Sequence, residues 1–171
     1  MNNLRALCYR LMPIMVVVLL YPLGGIAHAN DSEVTPDIAI AVDFVRKTRI
    51  NGNFKVIVAR VVQVTTTFAM LATEHPITVV PVFREKLYQV TANYQDEWDR
   101  NLAESYLAIF TANELASLTE QGRKSPYFGK FQAEMENAGE FMKQRSEPLA
   151  AKASAEILSQ MVMEMGLGSS K

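Results

Sequence analysis

Apolar residues return along this chain at steps of three and four, the period of a helix with one buried face. Phe54, Ile57, Val61, Val64, Phe68 and Leu71 follow it, while Lys55, Gln63 and Thr66 fall on the opposite side. The same segment is rich in valine and threonine, whose β-branched side chains lose rotamer freedom in a helix and favour strands. A strand would scatter the stripe across both faces. The period therefore prevails, and 54–73 is expected to form one long, largely buried helix ended by His75-Pro76, because the residue before a proline disfavours the helical region.

The remaining segments read the same way. Thr35-Pro36-Asp37 has the form of an N-cap, a first-turn proline and a first-turn acid, and predicts a helix to about Arg49 with Ile38, Val42 and Val45 on one face. Asn51-Gly52 is the expected stop. Val79 to Asn93 predicts a helix with Pro81 in its first turn and Val82, Leu87 and Val90 inward; Tyr94, Trp98, Leu102, Tyr106 and Ile109 predict the next. Thr111-Ala112-Asn113-Glu114 is a capping box, opening a helix that carries Leu115 and Leu118 to Gly122. Ser125-Pro126 starts the last stretch, in which Phe128, Phe131, Met135, Ala138 and Met142 step by three and four and Leu149, Ile157, Met161 and Met165 continue to Gly166. Pro148 predicts a kink there, or a fresh start capped by Ser146. The expectation is all-α: an antiparallel helical bundle of about five to six helices forming one domain over 35–166, with 30–34 loose and 167–171 frayed.

Residues 1–29 have the order of an export signal. Arg5 and Arg10 precede an uncharged apolar run from Leu11 to Leu23, Gly24-Gly25 breaks the helix, and Ala27-His28-Ala29 offers small side chains to a signal peptidase. A spanning helix needs about 20 apolar residues, more than this proline-interrupted run supplies. Cleavage after Ala29 and a periplasmic mature protein are expected. All 18 acidic residues and 15 of the 17 basic ones lie beyond that point, which leaves a formal charge of −3. Nothing there favours nucleic acid. Cys8, the single cysteine, leaves with the signal, so stability must come from packing without disulfides.

The chemistry open to such a chain is narrow. One histidine, His75, and no cysteine remain after cleavage, which excludes histidine-rich zinc sites and Cys-His pairs. Gly52, Gly122, Gly129 and Gly139 are isolated, with no phosphate loop, and read as stops or close contacts. Asp96, Glu97, Asp99 and Glu104 cluster near Trp98 and read as a solvated helix face, the alternative being the carboxylate site of an envelope hydrolase. Arg46, Lys47, Arg49, Lys55 and Arg60 form a basic run that an acidic partner or anionic membrane surface could use, against the plainer reading of a solvated joint. Met135, Met142, Met161, Met163 and Met165 supply pliable apolar surface, read first as core.

Tyr106, Phe110-Thr111, Glu114-Leu115, Ser125-Pro126 and Gly129-Lys130 together resemble the motif of the domain of unknown function 2059 family, exported bacterial helical proteins. The chain has Gly122-Arg123 where that family usually carries an aromatic pair. The resemblance implies a fold and a compartment, and no activity. The motif reads as an αα-hairpin fixed by Thr111, Glu114 and Ser125, with Gly129 permitting close helix contact; a functional reading would make Glu114, Ser125 and Lys130 members of a polar site. No catalytic, cofactor or metal residue is assigned. The expected function is non-enzymatic: an adaptor, chaperone or immunity-type module that binds a protein partner or itself.

Overall fold

A computed structural model describes residues 35–166, and within them the chain is all-α, with eight α-helices and no strand. The expected signal at 1–29, the loose start at 30–34 and the tail at 167–171 lie outside the described residues. The helices are α1 (Pro36–Thr48), α2 (Phe54–Gln63), α3 (Thr66–Glu74), α4 (Val79–Asn93), α5 (Gln95–Leu107), α6 (Ala112–Gln121), α7 (Phe128–Ala133) and α8 (Met135–Met165).

The start of α1 follows its sequence signals: Thr35 is extended and its hydroxyl accepts from the Ile38 N–H, with Pro36 in the first turn. Its end does not. The left-handed residue is Arg49, at φ 58°, while Asn51 and Gly52 lie inside a 3₁₀ turn, Ile50–Asn53. Stopping early at a residue with a Cβ costs about 1 kcal/mol. It also turns Ile50 into the core and brings Asn51 to Asp99, contacts that a later stop would forgo.

The valine-rich segment is helical, as its period requires, but it is two helices and not one. The axis turns by 74° between 50–63 and 66–74. Thr65 causes the break: its backbone is extended, its Oγ1 accepts from the Phe68 N–H at 3.2 Å and donates to the Val62 carbonyl at 2.7 Å. That is an N-cap, and capping residues are favoured where helix interiors disfavour them. Val64, counted in the apolar stripe, is consequently 69% exposed.

The last stretch also departs from expectation. α7 is a separate six-residue helix, and α8 then runs through Pro148 as a single element of 31 residues, about 46 Å long. The proline still removes one backbone donor from the Gln144 carbonyl. Packing holds both sides: Met142, Ser146, Leu149 and Ala150 are all buried, and α8 lies against α2, α4 and α5. Ser146 caps nothing, since its hydroxyl donates to Met142 Sδ within the same helix. On the other side of α5, α1 packs against both α5 and α6. Phe44 of α1, absent from the apolar face read in the sequence, is fully buried among rings from α5 and α7.

Candidate binding groove and the two polar clusters beside the core

The carboxylates near Trp98 do not lie together on a solvated face. Asp96 is 94% exposed, but Asp99, one turn on, is 3% exposed and held by three donors. Its Oδ2 accepts from Arg46 Nε at 2.7 Å, and its Oδ1 accepts from Asn51 Nδ2 at 2.8 Å and Gln95 Nε2 at 2.7 Å. Arg46 reaches Asp96 with its Nη2 at 2.8 Å. The hydrogen bond that Arg46 donates to Asp99, with both carboxylates' charge, outweighs desolvation and raises the Arg46 pKa above its ordinary value. The solvated-face reading of Asp99, and the solvated-joint reading of Arg46, are both corrected: together they clamp α1 and the 3₁₀ turn to α5.

The rest of that cluster is dispersed. Glu104 pairs with Arg145 of α8 and with Arg100, and Glu97 is exposed. Trp98 offers no ring face to a ligand, since it is 2% exposed and stacks on Phe54 with centroids 4.7 Å apart. His75 is bonded through Nε2 to the Gly166 carbonyl at 3.1 Å, which ties the α3–α4 turn to the end of α8. Among the described residues no three metal-capable side chains form a group.

The residues from Tyr106 to Lys130, by contrast, gather in one place. The Tyr106, Phe110 and Phe131 rings lie with centroids 6.0–6.3 Å apart. The capping box is present in both directions: Thr111 N–H donates to Glu114 Oε2 at 2.8 Å, and Glu114 N–H donates to Thr111 Oγ1 at 3.3 Å. Lys130 Nζ then donates to both Glu114 oxygens, at 3.0 and 2.9 Å, and sits 4.8 Å from the Phe110 ring centre. The Thr111 backbone bond first, and Lys130 second, hold the Glu114 carboxyl below its usual pKa. Ser125 is buried beside Ser117, with their hydroxyls 2.9 Å apart, and accepts from the Tyr127 N–H. Glu114 and Lys130 therefore meet, whereas Ser125 belongs to the turn. A Cβ at Gly129 would meet no atom within 4 Å, so no helix approaches it closely. Gly122 is the glycine that its backbone demands, at φ 55° and ψ −121°.

The depressed Glu114 carboxyl gives a stability that is present above the unfolded glutamate value of about 4.3 and lost as pH falls through the lower folded value. Thr111→Ala should cost about 1 kcal/mol at neutral pH. Glu114→Gln should flatten the acid limb of a urea-midpoint-against-pH curve, and an unchanged limb would show that the carboxylate contributes nothing there.

Beside this cluster runs a groove of about 530 Å³. Ala108 and Ile109, at the end of α5, form one wall and Lys130 closes one end. The other wall is a face of α8: Glu134, Asn137, Glu140, Phe141 and Gln144. Phe141 is 41% exposed. Glu134 accepts from Asn137 Nδ2 at 2.6 Å, and Glu140 has no partner among the described residues. Sequence reasoning missed this face. The signal was a polar stripe at 134, 137, 141 and 144, carrying an aromatic residue at the helical step where a solvated stripe has none. Comparison of the chain with family models, curated proteins and solved structures gives no match.

Proposed function

We propose that this chain is an exported, non-enzymatic binding protein of the bacterial cell envelope, released by cleavage after Ala29, which works by contact with a protein partner or a second copy of itself. The observation that carries this reading is Asp99. The one buried carboxylate of the group near Trp98 is engaged by three donors of its own fold and is only 3% exposed, so it is not presented to a substrate, and Asp96 and Glu97 beside it face water at ordinary surface positions. This counts against the hydrolase alternative. The groove along α8 asks for no acid, base or nucleophile. It presents an exposed aromatic ring rimmed by polar groups, the makings of a small contact surface.

The resemblance to the domain of unknown function 2059 family is part of the same proposal. It is supported by the gathering of Tyr106, Phe110, Thr111, Glu114 and Lys130 into one cluster at the groove's edge. Roles as an adaptor, a chaperone or an immunity-type protein all suit a contact surface of this kind.

The test is photo-cross-linking in living cells expressing the full chain, with benzoylphenylalanine in place of Phe141 and, as control, of exposed Glu120 on α6. A discrete adduct from position 141 and none from 120 is expected, and the protein part of that adduct should begin at Asn30. Equal adducts, or none, would contradict a contact function through this face.

A further inference from the structure

We propose that the groove between the end of α5 and α8 receives an arginine side chain, flanked by an apolar residue, from a segment of a partner protein. This rests on the contact function proposed above and names its chemistry.

Charge comes first. Lys130 is the cation that lines the groove, and its ammonium is held by both oxygens of Glu114, so it projects no uncompensated charge. Among the described residues no cation pairs with Glu134 or Glu140, the first holding only a neutral amide. One further feature adds to that sign. Ala108 caps α5, where the Glu104 and Tyr106 carbonyls are taken by the Ala108, Ile109 and Phe110 N–H groups, and the negative end of the helix dipole remains. The groove is thus negative in sign.

Shape and apolar surface narrow the ligand. Phe141 and Ile109 offer an aromatic face and an aliphatic flank beside the carboxylates. A guanidinium suits both, since its planar fork donates to carboxylates and carbonyls while its face stacks on a ring. An ammonium has neither the fork nor the flat face. The groove is also open along its length and cannot enclose a small molecule, which pockets for such ligands normally do. A side chain delivered by a protein segment gains its remaining contacts from the surface on either side.

The experiment is a titration followed by ¹H–¹⁵N spectra of the exported protein purified from cells, using the blocked peptide acetyl-Leu-Arg-Leu-amide. Parallel peptides carry citrulline, lysine or glutamate in place of arginine. Saturable shifts are expected at residues 108–109 and 134–144, with affinity falling about tenfold for citrulline, which keeps the shape and removes the charge. The Glu134→Gln, Glu140→Gln double variant removes no ion pair, so it should keep its spectrum and lose the arginine response. Absent shifts, equal binding of citrulline, or equal binding of lysine would overturn the assignment. A protein captured from position 141 through a segment without arginine would overturn it as well, while leaving the contact function standing.

Discussion

Phe131→Ala should lower the free energy of unfolding by about 4 kcal/mol, near the top of the range for a buried aromatic. The ring is buried and lies 5.9 Å from Phe44, 6.0 Å from Tyr106, 6.1 Å from Phe110 and 6.4 Å from Phe128, centre to centre. Its removal leaves a cavity among four rings that cannot collapse without moving three helices. The effect should be largest on α7 itself. A helix of six residues has little stability of its own, so its place on the bundle depends on this side chain. Because α7 carries Lys130, the variant should also loosen the end of the groove. Urea denaturation with hydrogen exchange of the α7 amides measures both. Phe131→Leu keeps most of the volume and should cost roughly 1.5 kcal/mol. A loss below 1 kcal/mol for the alanine variant would mean that the aromatic cluster is not what holds α7.

Asp99→Ala should cost about 3 kcal/mol. The carboxylate is the common acceptor for Arg46, Asn51 and Gln95, and removing it leaves three donors facing one gap in a buried position. The loss stops short of the largest values for broken buried pairs, because Arg46 is half exposed and can turn to water and to Asp96. Asp96→Ala gives the contrast. Its carboxylate is almost fully exposed, and such pairs contribute roughly 0–1 kcal/mol. Equal effects at positions 96 and 99, read from urea midpoints, would show that the clamp has been misplaced.

The helical content was legible because each buried face repeats at the helical step, and the capping box because its two bonds follow from spacing alone. What escaped was set by single residues that the period cannot see. Thr65 stops one helix and starts another without interrupting the run of apolar positions, since Val64, at the break, is itself apolar. Arg49 adopts the left-handed conformation although Gly52 was at hand, because the early turn is fixed by tertiary contacts of Ile50 and Asn51. Pro148 fails to break α8, because burial on both sides outweighs one missing hydrogen bond. The polar clusters were harder still. Asp96 and Asp99 are three residues apart on one helix, and only the position of α1, which no local pattern gives, decides that Asp99 is turned in to meet Arg46. The groove needs the end of α5 brought against α7 and α8, which no local pattern gives, so one exposed aromatic within a polar stripe was its only trace.

The claim that this chain works by contact and not by catalysis turns on Asp99, and one paired measurement tests it. The purified protein and its Asp99→Asn variant are incubated with peptidoglycan, phospholipid and ester substrates, and each sample is then unfolded in urea. The expected result is no turnover by either protein, with the variant unfolding at distinctly lower urea because an amide can replace the carboxylate only in part. Turnover by the native protein that disappears in Asp99→Asn, with the urea midpoint unchanged, would make Asp99 a working group of a hydrolase and contradict the contact function.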